Sequence, residues 1–223
     1  MATPKHILGT FDEALNDLRN DLLTMVGLTE RSLDRAINGL LQRDDNLCTK
    51  AIADDEEVDQ LEKRIDKASL EILVRYQPVA SDLRQVISAM KLSPNIERAA
   101  DEATNIAECA IKLNQHPPLA EVNLIVPIQA HAISMFKDSI DAFVREDVEL
   151  ARGVVSRDMQ LDGMNASASR QLTDRMMQDR DQLPGYLNLI LISRCLERVG
   201  DHATNIAEDA VYAAAAEDIR HQT

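Results

Sequence analysis

This chain has 223 residues, of which 45% are hydrophobic and 28% charged, with 7 Gly, 7 Pro, 3% aromatics and no Trp. That composition favours helices over strands and excludes a disordered chain. Its 38 acidic against 24 basic residues give a formal net charge of -14, which repels a phosphate backbone and an anionic membrane surface. Nucleic acid is thereby excluded as a partner, and any membrane association is expected only through partner proteins.

From about Thr10 to Leu41, apolar residues recur at three- and four-residue steps (Phe11, Leu15, Leu18, Leu22, Met25), the mark of an amphipathic helix. A charged turn at Arg43 to Asn46 precedes a second pattern through Ile52, Val58, Leu61, Ile65 and Leu73, which Pro78 ends. A third begins near the capping candidates Ser81 and Asp82 and runs to about Leu113, with a kink expected at Pro94. Pro117 and Pro118 break the chain near its midpoint, and three more patterns follow at about 121–145, 147–178 and 184–216. The apolar run from Tyr186 to Ile192 is interrupted by Asn188 and is far shorter than the roughly 20 residues of a membrane span. The first residues, MATPKHILGT, lack the long apolar stretch of a secretory signal. Cys48, Cys109 and Cys195 are odd in number and scattered, as expected of reduced thiols in a cytosolic protein. Met159, Met164, Met176 and Met177 read as core filler.

The two halves match. IERAADEATNIAECAI (96–111) lies against LERVGDHATNIAEDAV (196–211) at an offset of one hundred residues, with nine identities in the central twelve positions. Upstream the match continues at an offset of 103, pairing Asp44 with Asp147, Leu47 with Leu150, Asp55 with Asp158 and Asp59 with Asp162. Internal repetition on this scale means one supersecondary unit used twice. The expected fold is all-α, six helices in two tandem three-helix bundles, over residues 1–116 and 117–223.

On a helix, Glu97, Asp101, Asn105 and Glu108 fall in one narrow stripe, which Glu197, Asp201, Asn205 and Glu208 repeat. Asp55, Asp59, Glu62 and Asp66 form a similar stripe on the second helix; its counterpart keeps Asp158 and Asp162 but has Asn165 and Ser169. Such stripes place hard oxygen donors from two rigid helices together, as a divalent cation requires. An acidic stripe is ordinarily a solvated face neutralised by neighbours such as Arg98 and Arg198. Here the same residues, Thr and Asn included, occur twice, which favours a site. The competing reading is a metal-dependent enzyme or a metal-storage bundle. A di-iron bundle uses inward Glu-x-x-His pairs, and no histidine here follows a Glu by three. No nucleophile triad, glycine-rich phosphate loop or paired-cysteine motif appears.

ERAADEATNIAE and ERVGDHATNIAE, with Asp-x-x-x-Asp in each second helix and QPVASDLR before the third, resemble the duplicated signature of the PhoU family. The resemblance implies a cytoplasmic, frequently homodimeric protein without catalytic activity that restrains the phosphate-starvation response. It implies partners in the ATPase subunit of a phosphate ABC transporter and in a sensor histidine kinase. It also implies metal ions (Mg, Mn, Fe or Zn) held by Glu97 with Asp101, Glu197 with Asp201, Asp55 with Asp59 and Asp158 with Asp162. Asn105, Glu108, Asn205 and Glu208 would be outer members. Because Asn165 and Ser169 replace carboxylates, unequal occupancy of the two sites is expected.

Overall fold

Two aspartates at the repeat offset start equivalent helices. Asp44 Oδ1 accepts hydrogen bonds from the backbone N–H of Asn46 (2.9 Å) and Leu47 (3.3 Å), and Asp147 Oδ1 accepts from that of Leu150 (3.0 Å). Each satisfies donors that a first helical turn leaves open, an N-cap worth about 1 kcal/mol. The residues before them, Arg43 and Glu146, both take left-handed backbone, with φ of 56° and 55°. The same turn therefore joins the first two helices of each copy.

In this computed structural model residues 4–220 are described, with side chains from residue 9 onward. The start of the MATPKHILGT segment lies outside the described residues. The described chain forms α1 (Pro4–Gln42), α2 (Asp45–Tyr76), α3 (Ala80–Asn114), α4 (Ile125–Arg145), α5 (Val148–Val155), α6 (Asp158–Gln178) and α7 (Leu183–Ala215), with short 3-10 turns at Ala120–Leu124 and Arg180–Gln182. No strand occurs among the described residues, and no helix there is long and apolar enough to cross a membrane. Helices α1, α2 and α3 pack on one another around Met25, Leu33, Ile65 and Ile96, and α4 to α7 around Ile128, Met135 and Phe136, all fully buried. This is the all-α pair of three-helix bundles, joined where α3 lies against α7.

The structure alters three details. The expected long helix over 147–178 is divided into α5 and α6 by a turn at Ser156 and Arg157. There the Ser156 hydroxyl bonds the carbonyl of Gly153 at 2.9 Å, competing with the helical ladder, and the Arg157 carbonyl faces His131 Nε2 at 3.3 Å. Helix α3 begins at Ala80, with Val79 as an N-cap that has no side-chain bond, so neither Ser81 nor Asp82 caps it. The Ser81 hydroxyl turns to Asp82 instead, at 3.3 Å, and Ala80 itself takes a left-handed φ of 52°. Helix α3 contains Pro94 within its span. Met159 and Met177 are 83% and 74% exposed and are not core residues, whereas Met164 and Met176 pack partly buried against the core. The three cysteines are free and buried, as expected.

Candidate carboxylate metal centre

The helical period brings the two aspartates of α6 against the Glu/Asp pair of α7. Carboxylate oxygens of Asp162, Glu197 and Asp201 all lie within 4.8 Å of one another, the one such group of three among the described residues. The backbone makes this convergence possible at Gly200, where a Cβ would stand 2.1 Å from Leu161 Cδ2. Leu161 precedes Asp162 and Gly200 precedes Asp201, so the contact that lets α6 and α7 close also sets the two ligand candidates face to face. In the first copy the same positions are Val58 and Ala100. Asp158 completes the second cluster, its Oδ1 accepting from Thr204 Oγ1 at 3.1 Å.

These groups repel one another. Burial, then Glu197, Asp158 and Asp162, push the carboxyl of Asp201 up to about 6, against the opposing pull of Arg198. Burial and Asp162 raise Glu197, and burial raises Asp158 while the Thr204 hydroxyl offsets part of the rise. In the first copy, burial, Asp101, Glu62 and Asp59 push Glu97 up to about 7. Asp55 is raised by burial, Asp101 and Asp59, and Asp101 by burial and Asp59; the Thr104 hydroxyl holds Asp55 down in part. Both clusters thus collect half-desolvated carboxylates, and a cation between them would relieve the repulsion. An all-oxygen set fits hard divalent ions, which take carboxylates and keep water in the remaining positions.

The outer residues of the stripes go elsewhere. Asn105 Nδ2 donates to Glu102 Oε2 at 3.4 Å, Asn205 Nδ2 donates to Asn95 Oδ1 at 3.3 Å, and Glu108 stands 4.0 Å from Lys112. Glu208 lies one turn beyond Asn205, away from the Glu197/Asp201 pair in sequence. Asn165 accepts from the buried Ser193 hydroxyl at 2.6 Å and so serves packing of α6 on α7. Arg198 reaches past its own stripe to Glu102 of α3 at 3.1 Å. Glu102 was absent from the stripe reading because it sits one residue from Asp101 on the face toward α7; nothing in one sequence marks that face. Asp54, beside Asp55, is likewise turned inward, between Arg31 (2.8 Å) and Arg35 (2.5 Å) of α1.

The PhoU domain model matches residues 22–110 and 125–210, once in each half. The chain belongs to the PhoU family. It is 38% identical to the phosphate-specific transport system accessory protein PhoU homolog of Pseudomonas aeruginosa, over 97% of this chain and 90% of that one. It is 34% identical to the phosphate-specific transport system accessory protein PhoU of Escherichia coli, over the same shares. The crystal structure of PhoU from Pseudomonas aeruginosa superposes with a TM-score of 0.89 at 36% identity, over 93% of this chain and all of that one. That of the phosphate transport system regulatory protein PhoU from Streptococcus pneumoniae gives 0.84 at 25% identity, covering 93% and 98%. The doubled PhoU domain coincides with the doubled carboxylate stripe.

Proposed function

We propose that this chain is a non-enzymatic, cytoplasmic regulator of phosphate uptake that holds divalent cations in its two carboxylate clusters. In this reading it acts as a homodimer between the ATPase subunit of the phosphate ABC transporter and a sensor histidine kinase, restraining the starvation response when phosphate is plentiful. The observation that carries the metal role is the convergence of Asp162, Glu197 and Asp201 from two helices, with Asp158 beside them. Asp55, Asp59, Glu97 and Asp101 would form the companion site. The regulatory role is supported by family membership and by relatives named as accessory and regulatory proteins of phosphate transport.

Elemental analysis with thermal denaturation tests the metal reading, comparing the parent with Glu97→Ala/Asp101→Ala and Glu197→Ala/Asp201→Ala. A cation at about a hundred times its dissociation constant adds roughly 2.7 kcal/mol, about 5–11 °C for a chain of this size. The parent should retain metal or gain this stabilisation from added Mg or Mn, and each variant should lose the share of its own cluster. Equal metal content and equal cation response in all three proteins would sink the metal reading. Deletion of the gene tests the regulatory one: starvation genes expressed constitutively support it, and normal phosphate control refutes it.

A further inference from the structure

At one end of the molecule, α1, the first turns of α3 and the last turns of α4 and α7 enclose a cavity of about 420 Å³. Its origin is legible in the duplication. Placing α3 on α7 at the offset of one hundred sets Ala89 of the wall opposite Leu189, and Ala213 of the wall opposite Leu113. Both leucines are buried in their own copy. Gln85, also in the wall, corresponds to Gly185, and there the related space is full: Leu119 and Leu113 Cδ1 lie 2.7 and 3.4 Å from the place a Cβ would take. The linker between the copies closes one end of the scaffold, and small side chains leave its counterpart open.

The open end is apolar on one side, with Leu15, Leu18, Leu22 and Phe143, and on the other carries the guanidinium groups of Arg19 and Arg84. Arg19 donates from Nη2 to the carbonyl of Val144 at 3.4 Å, and Arg84 from Nε to that of Ala213 at 3.2 Å. Each guanidinium thus caps the end of a helix with one of its five N–H groups. Asp12 and Glu146 also border the cavity, yet no ion pair joins either arginine to a carboxylate among the described residues. Both guanidinium groups thus bond backbone carbonyls and keep further N–H groups available toward the cavity. Guanidinium forks bind planar and tetrahedral oxyanions through paired hydrogen bonds.

We propose that this cavity is a binding site for a small amphipathic anion, a phosphate or carboxylate head held by Arg19 and Arg84 with an alkyl or aryl body along Leu15, Leu18, Leu22 and Phe143. Its volume falls in the range of small-molecule sites, about 300–1,000 Å³. It shares no residue with the carboxylate clusters, so its occupancy and that of the metal sites are tested separately.

Isothermal titration of the full chain with octyl phosphate, octanoate, inorganic phosphate and 1-octanol is the test. Octyl phosphate or octanoate, whichever carries the preferred head, should bind at one per chain, at least about tenfold more tightly than inorganic phosphate or octanol. Arg19→Gln/Arg84→Gln should weaken that binding by about tenfold or more through loss of charge-assisted hydrogen bonds. Ala89→Leu/Ala213→Leu should abolish it, with a circular dichroism melt no lower than the parent's. Ala213→Leu alone, at a partly buried position, keeps the fold and should weaken binding in the same direction. The proposal is overturned if neither amphiphile binds saturably, or if the filled variants and the arginine variant bind as the parent does.

Discussion

Glu97 concentrates the electrostatics of the first cluster in one side chain. Burial comes first among the causes of its shift, followed by Asp101, Glu62 and Asp59, with Arg98 opposing, and together they push its carboxyl from 4.5 up to about 7. A carboxyl raised on folding keeps its proton at pH values where the unfolded chain has released it. Folding then takes up a proton between about 4.5 and 7, and stability falls as the pH rises through that window and levels off above it. Asp201, raised from 3.8 to about 6, acts with the same sign, whereas His202, whose basicity burial and Arg98 lower, acts with the opposite one. Comparison with a variant isolates the glutamate. In metal-free protein, Glu97→Gln should show a shallower fall in melting temperature between pH 5 and 7.5 than the parent. Saturating Mg or Mn, which binds the ionised carboxylates, should flatten the parent's fall as well. Parallel profiles for parent and Glu97→Gln would remove the glutamate as the source. Glu97, Asp101, Asp59 and their repeats were legible because a helical period puts them on one stripe. Asp54 and Glu102 were not, because each sits one residue from a stripe member and only a facing helix tells the two apart.

Between elements, the two copies use one device with its charges exchanged. In the first, Asp54 of α2, 7% exposed, accepts from Arg31 and Arg35 of α1. At the offset of 103 these positions become Arg157, Ser134 and Asp138, and Arg157 donates to Asp138 at 2.7 Å and to Ser134 at 3.3 Å. The fold thus requires a polar staple here and is indifferent to its direction. Matching by identity found Asp44 with Asp147, which start helices, but scored Arg35 against Asp138 as a mismatch and hid the staple. The break at Ser156 and Arg157 was hidden for a related reason: apolar periodicity continues across it, and it is held by the local Ser156 bond to Gly153 and by contacts of Arg157 with α4. Asp54→Ala should cost about 1–3 kcal/mol, because both arginines are partly solvated once released. Asp54→Arg should cost more, setting three cations together. Adding Arg31→Ser and Arg35→Asp imports the second copy's arrangement and should restore most of the loss. Urea unfolding reads this directly, and a triple variant no more stable than Asp54→Arg would mean that the positions are not equivalent.

At the scale of the whole molecule, the pairing of α3 with α7 decides whether two repeats make two units or one. Glu102 is 6% exposed and bonds Arg198 across this seam, while Lys91 holds Asp209 at 3.0 Å and covers the ring of Tyr212. The duplication would place a second Glu–Arg pair on the other side, between positions 202 and 98, but His202 stands there instead of a glutamate. Burial and then Arg98 disfavour its protonation, and its Nδ1 lies 3.3 Å from Asn95 Oδ1. The Glu102–Arg198 pair therefore has no twin at its repeat position, and Lys91–Asp209 is the other ion pair across the seam. Arg198→Ala leaves the Glu102 carboxylate buried against the Cys195 thiol, itself pushed upward by burial and by Glu102. The loss should be about 2 kcal/mol, less than for a wholly buried pair because Arg198 is half exposed, or about 4–8 °C in melting temperature. Because the seam belongs to both bundles, calorimetry and circular dichroism should each record one transition for the parent and one, shifted, for Arg198→Ala. Two resolved transitions in the parent would mean that each bundle is stable by itself, and the seam would then be a docking surface between independent units.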